Sequence, residues 1–265
     1  MRPIFQAAVQ VSGHVGRYTI GRGKQLLDLF AFAYRMLSLL LRRPKEGRKL
    51  LRTVVMEQIY FTAVQALPII IPIALLLGSM LLVQFAKISP QYDLGKITVL
   101  LIVREFGPLI TALVVILRSA TAVTIETGYM TVLHEMESIE MAGIDPVHII
   151  SLPRLLGITT AVLCLFLVFD LVAILGGWFI LWTTTQYPMT NFLGQIGKAV
   201  SGIDIVVGIV KGLLFGSAIA ITSLYRGFTT GRQITGIPVS TSKAAVECLF
   251  YCLVLHVLVS VAFYM

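Results

Sequence analysis

Charge is what this chain has least of. Of its 265 residues, 13% are charged and 57% hydrophobic, with a mean hydropathy of +0.90. A soluble domain carries about a quarter charged residues, so the shortage excludes a water-facing surface for most of the length. One membrane domain then uses the whole chain and leaves no room for a separate soluble catalytic domain. Cysteine is also scarce. Cys164, Cys248 and Cys252 all fall in apolar runs, without zinc-type spacing or the context of a disulfide framework, and are read as small apolar packing residues. His14, His134, His148 and His256 have no metal-ligand spacing, and no Ser–His–Asp arrangement is visible. No GxxxxGK[ST] loop is present either, because the stretch from Gly194 to Lys198 is too short and lacks the following Ser or Thr. ATP bound through a P-loop is therefore not expected in this chain, nor is a metal or other cofactor.

Basic residues are present and unevenly placed. The net charge is +8, and eleven of the 21 Lys and Arg residues lie in 1–53. Beside membrane spans this points to an anionic membrane surface rather than nucleic acid. The first residues show no compact apolar core or small-residue cleavage site, so they are read as mature protein rather than a signal peptide. Residues 26–41 are apolar but carry Asp28 and Arg35 seven apart, two helical turns, with Arg42 continuing the stripe. Sixteen residues with basic flanks suit an amphipathic helix lying on the membrane interface; a sixth span is the alternative. Residues 1–53 thus form a basic N-terminal region, and 54–265 a transmembrane domain.

Five apolar runs are long enough to cross a bilayer, which takes about 20 residues each. They cover about 54–88, 97–127, 155–182, 203–225 and 240–265. The first contains Pro68 and Pro72, so a kink or break is expected there. Its outer end carries Leu81, Gln84, Phe85 and Ile88, with Tyr92 in the loop after it. These supply an apolar wall with a few polar handles, suited to an acyl chain and headgroup. Trp178 and Trp182 suit an interfacial belt, and a polar loop with Tyr187, Pro188 and Asn191 follows. Gly208, Gly212 and Gly216 form a small-residue face for close helix contact, within the chain or between copies. A cytoplasmic N-terminus puts the eleven N-terminal basic residues with Arg154, Arg226, Arg232 and Lys243 inside. Only Lys87, Lys96 and Lys198 are then outside, which favours N-in, C-out.

The second run holds Arg104 and Glu105. Charge in hydrocarbon costs at least about 2.5–3.5 kcal/mol per group, so such a pair faces a bundle interior or a wet cavity. At 1.5 Å per residue the pair lies about 11–12 Å below the outer interface, with Lys211 of the fourth run at similar depth. Glu105 is expected to be neutralised by Lys211 or by Arg104. The layer either fixes helix packing or lines and gates a transport cavity. Residues 128–152 form a cytoplasmic loop with a local helix bearing Glu135, Glu137, Glu140 and Asp145.

VREFGPLITALVV (103–115), Arg118-Ser119-Ala120, and IETGYMTVLHEMESIEMAGIDPVHIISLPR (125–154) resemble the signature of the MlaE (YrbE-like) permease family. Glu57-Gln58 and the basic N-terminal region extend the resemblance over most of the chain. The sequence departs from the family at Leu117, at His134, after Gly231, and at His256, where an acidic residue is common. The resemblance implies the membrane subunit of an ATP-driven lipid transporter of the bacterial inner membrane. It implies a homodimer, a separate ABC ATPase that hydrolyses ATP, an MCE-domain partner and phospholipid cargo. It also implies a coupling helix at about 130–142, docking on the ATPase through Glu135, Glu137, Glu140, Met141 and Asp145. The chain itself is then not an enzyme. An ion-coupled secondary transporter or channel, with Arg104, Glu105, Asp170 and Lys211 as a charge relay, is the alternative, and a membrane enzyme acting on lipid is a third reading.

Overall fold

The computed structural model describes residues 23–39, 48–88, 94–185, 188–231 and 233–264, all helical or in short turns. The chain divides into two units, 1–43 and 44–265. The described part of the first is one helix, α1 (23–39). Leu27, Phe30, Tyr34 and Leu37 recur on it at steps of three and four, as an exposed apolar stripe. Of the amphipathic helix expected at 26–41, residues 26–39 are helical, and the helix begins by Gly23. Residues 1–22 and 40–47, which carry most of the basic N-terminal region, lie outside the described residues, as do Tyr92, Tyr187 and Arg232.

The second unit contains five helices long and apolar enough to cross a membrane: Leu51–Lys87, Leu94–Val132, Val147–Thr183, Gly202–Phe228 and Gly236–Phe263. Three of them are interrupted. The first is α2 (Arg48–Thr62), a tight turn over Val64–Ala66, and α3 (Leu67–Ile88). Proline explains the break. Pro68 has no N–H for the carbonyl of Val64, which accepts from Leu67 N instead. Pro72 sits inside α3 without ending it. The second span joins α4 (Leu94–Thr98), widened π turns over Val99–Phe106, α5 (Gly107–Val115), a second widened stretch over Ile116–Ala120, and α6 (Thr121–Val132).

The expected helix at 130–142 is divided. The second span runs on to Val132, His134 takes a left-handed conformation (φ 61°), and α7 (Glu135–Met141) starts there. Gly143, at φ 79°, follows its end. A short π stretch, Val147–Ser151, leads into α8 (Leu152–Thr185). The polar loop expected after it is partly a helix: α9 (Met189–Ala199) begins just beyond Pro188 and buries Phe192. Polar composition hid it, because one face alone is apolar. α10 (Gly202–Phe228) and α11 (Gly236–Tyr264) complete the chain, and Arg226, expected in a loop, lies within α10.

α8 is the central post. α2 and α3 pack on it from one side and α10 from another, while α10 also packs on α6 and α11. Lipid tails are as apolar as leucine, so close backbone approach rather than water exclusion holds such helices together. Gly78 of α3 meets the backbone of Ala173, and Gly177 meets the backbone of Gly78. On α10, a Cβ at Gly216 would stand 2.6 Å from Thr159 Cα, and one at Gly212 2.5 Å from a Leu163 methyl. The glycine face of the fourth span is thus used inside the chain, against α8. One cysteine departs from the expected packing role: Cys248 and Cys252 are buried, but Cys164 is exposed on the outer face of α8.

Candidate functional site

The widened turns over Val99–Phe106 send two sequence neighbours to different helices. Arg104 reaches the first turn of α10, where Nε lies 2.7 Å from Asp204 Oδ1 and Nη2 donates to Oδ2 at 3.1 Å. Asp204 is already committed to that turn. Its Oδ2 accepts from Ser201 N and from Ser201 Oγ, both at 2.9 Å, closing a capping box at the start of α10. The guanidinium therefore binds a carboxylate whose position the helix start has set.

Glu105 turns toward α11. Its Oε2 lies 2.6 Å from His256 Nε2, and its Oε1 accepts from Ser260 Oγ at 3.2 Å. Histidine and serine four residues apart on one helical face suit this two-point grip. Lys211 Nζ is 3.9 Å from Glu105 Oε1 and donates to Ser260 Oγ at 2.8 Å and to the carbonyl of Arg104 at 2.7 Å. Asp204 and Lys211, seven residues apart, share one face of α10. Two cations and two anions thus meet between the second, fourth and fifth spans, which offsets the cost of placing each charge in hydrocarbon. The layer is most open at Glu105, and Arg104 is a quarter exposed. The side chain of Glu105 is 38% exposed, whereas those of Lys211 and Asp204 are 1% exposed.

Of the two expected neutralisers of Glu105, Lys211 lies 3.9 Å from its carboxylate, while Arg104 pairs with Asp204. Sequence reasoning missed Asp204, His256 and Ser260. The Ser201–Asp204 spacing is a capping signature and was legible; the pairing of His256 and Ser260 with Glu105 crosses 151 and 155 residues and was not. Asp170 of the suggested charge relay stands apart. It is buried on α8 beside Gly107, and its Oδ1 has no hydrogen-bond partner among the described residues.

The proposed apolar wall is split. Leu81 and Gln84 lie on α3 with Gln84 exposed, while Phe85 packs against the cluster of Leu82, Leu94, Leu181 and Phe192. Ile88 ends α3, and its side chain, like Tyr92, lies outside the described residues. Trp178 packs on the same cluster and Trp182 is half exposed beside it.

A second constellation holds the broken first span. Arg118, in the second widened stretch, donates through Nη1 to the carbonyl of Phe61 and through Nη2 to Gln65 Oε1 at 2.6 Å. Its guanidinium lies 4.8 Å from the centre of the Phe61 ring.

At the α7 end, Glu135, Glu137, Glu140 and Met141 are all exposed, Met141 at 82%. Asp145 instead caps the next helix, its Oδ1 accepting from Val147 N at 3.0 Å. Arg154 of α8 pairs with Glu126 at 2.6 Å and donates to Thr127 Oγ1 at 2.7 Å, clamping the two helices that flank α7. Arg226 and Glu247 tie α10 to α11.

Residues 55–262 match the family model described as permease MlaE. A probable ABC transporter permease protein of Rickettsia typhi is 25% identical over 95% of this chain and 97% of its own length. The intermembrane phospholipid transport system permease protein MlaE of Haemophilus influenzae is 26% identical over 85% of this chain and 89% of its own. The chloroplastic protein trigalactosyldiacylglycerol 1 of Arabidopsis thaliana is 26% identical over 63% of this chain and 47% of its own. With a family model matched over most of its length, on five helices fit to cross a membrane, the chain belongs to the MlaE permease family.

Proposed function

We propose that the chain is the membrane-spanning permease subunit of an ATP-driven phospholipid transporter, working as a homodimer in the bacterial inner membrane with its N-terminus inside. ATP is hydrolysed by a separate ABC ATPase docked on α7, and lipid passes to or from an MCE-domain partner outside. The observation that carries this reading is one of continuity. A single run of helix, Leu94–Val132, joins the Arg104–Glu105 layer at one end to the exposed acidic α7 at the other. Helix is stiff along its axis, so force applied at α7 reaches the layer. The Arg154–Glu126 clamp keeps that lever from swinging freely. The widened turns at Val99–Phe106 and Ile116–Ala120 are where it can yield. The similarity to the Haemophilus phospholipid permease, over 85% of this chain, agrees with it.

Glu105, exposed at the open side of the layer, meets the cargo, and the charges around it rearrange as the spans move. The test is reconstitution. The purified chain with its co-purifying ATPase should move labelled phospholipid out of proteoliposomes on addition of ATP. Transport by the chain alone, driven by an ion gradient, would replace this reading with a secondary transporter.

A further inference from the structure

A cavity of about 260 Å³ lies between the start of the second span and the α9–α10 junction, lined by Lys96, Val99, Leu100, Arg104, Lys198 and Ala199. Three of these side chains are cationic and none is anionic. Lys96 is the third residue of the second span, and Lys198 lies four residues before the fourth. Both therefore mark the same membrane boundary. Arg104 lies eight residues further into the second span and forms the floor, its guanidinium already paired with Asp204, which leaves the two lysines as the other cations of the lining.

The two lysines are held in register by packing. Phe192 of α9 is 1% exposed among Leu82, Leu94 and Leu181. Gly95 lets the α9 backbone approach, since a Cβ there would stand 2.6 Å from the carbonyl carbon of Gln195. Gly95 N donates to Gln195 Oε1 at 3.4 Å. Lys96 and Lys198 thus project from two helices fixed against each other, and their long stems reach toward the boundary.

We propose that this cavity binds the phosphate of an anionic lipid headgroup, at a site separate from the Glu105 opening on the α11 side. It rests on the lipid-handling reading only for the class of ligand. At about 260 Å³ the cavity is below the roughly 300–1,000 Å³ of a site for a drug-sized molecule, so it takes a headgroup and not a whole lipid. Val99, Leu100 and Ala199 form its apolar wall, and Leu100, 45% exposed, continues outward as a surface for acyl chains. An acidic protein segment would meet the same cations but would leave that surface uncovered.

The experiment is native mass spectrometry of the full-length chain from nanodiscs holding equal phosphatidylglycerol and phosphatidylcholine, repeated with millimolar inorganic phosphate. Wild type is expected to retain phosphatidylglycerol over phosphatidylcholine by about thirtyfold, the scale that two lysines near an anionic headgroup supply. K96Q/K198Q should lose that preference, and K96R/K198R should keep it. Both lysines are exposed, so the melting temperature should not move. Equal retention by wild type, or an unchanged preference in K96Q/K198Q, overturns the proposal. Displacement by phosphate without headgroup preference assigns the cavity to free phosphate and overturns the lipid source. Loss of binding to a co-purifying acidic protein, with lipid ratios unchanged, assigns it to that protein instead. ATP-driven transport is scored in separate vesicles, so failure of the transporter reading leaves the binding ratio standing as its own result.

Discussion

Lys211 Nζ lies 2.7 Å from the carbonyl oxygen of Arg104, and the α-helical donor to that carbonyl would be the amide of residue 108, a proline. A lysine from the fourth span thus supplies the hydrogen bond that Pro108 cannot. The same ammonium faces Glu105 and Ser260. Lys211→Met keeps the volume and removes all three contacts. It should destabilise the protein by about 2–3 kcal/mol, the scale of buried hydrogen bonds to a charged group. Melting in detergent checks this. Lys211→Met with Glu105→Gln should recover part of the loss, because the carboxylate is no longer left facing an empty position.

Arg104 and Asp204 make an ion pair with one hydrogen bond, Nη2 to Oδ2, on a carboxylate that also holds the α10 start. Asp204→Ala should therefore cost more than Arg104→Gln. It removes the pair and the cap together, and the cap alone is worth about 1 kcal/mol. Hydrogen exchange at the amides of 202–205 separates the two contributions: Asp204→Ala should speed exchange there and Arg104→Gln should not. Equal exchange in both variants would mean that the pair, rather than the cap, secures this turn.

Much of this architecture could be read from residue order, and the parts that could not share a cause. Five spans, the break near Pro68 and a helix with an apolar stripe within 23–39 all follow from local pattern, since hydropathy and proline act through neighbours in sequence. The helix over Met189–Ala199 escaped because its only fully buried large residue, Phe192, stands among polar ones. The true partner of Arg104 is 100 residues away and that of Glu105 151. Which charge meets which depends on how the widened turns at Val99–Phe106 rotate two adjacent side chains. Periodicity at 3.6 residues carries no record of that rotation.

The glycine face of α10 is used within the chain, and its three positions should differ. Gly216 faces the Thr159 backbone, which cannot move aside, whereas Gly208 faces the edge of the Phe166 ring. Gly216→Ala should cost more than Gly208→Ala, within the roughly 1–3 kcal/mol typical of overpacking. Both should leave the mass of the proposed homodimer unchanged. Light scattering that showed dissociation with melting unaltered would put this face between copies instead.

Arg118 spans the break in the first span, binding the Phe61 carbonyl and Gln65 while lying over the Phe61 ring. Arg118→Lys keeps the charge but not the planar fork, so it cannot hold two acceptors and the ring at once. The break should then loosen. A spin-label pair across Thr62 and Leu67 should give a broader distance distribution, and ATP-driven transport should fall about tenfold, the effect of losing roughly 1.4 kcal/mol of positioning. Gln65→Ala should give a smaller change in the same direction, because the contact with Phe61 survives.

The acidic face of α7 is exposed, and the ion pair of Glu137 with His134 is itself at the surface, so its charges contribute little to the fold and can act on a partner. Glu135→Lys, Glu137→Lys and Glu140→Lys combined should leave the unfolding free energy within about 0.5 kcal/mol of wild type, as expected for surface positions. Binding of the ATPase should weaken by one to two orders of magnitude, mainly through a slower association rate, since like charge at an interface deflects encounter. The weakening should shrink as salt is raised from 0.05 to about 0.5 M, because screening at that strength acts over only a few ångströms. Met141, 82% exposed at the end of the same helix, provides the contrast. Met141→Ser should weaken the complex equally at low and high salt, as loss of an apolar contact does. Surface plasmon resonance against the co-purifying ATPase measures both, and a salt-independent effect of the lysine substitutions would show that α7 docks by shape rather than by charge.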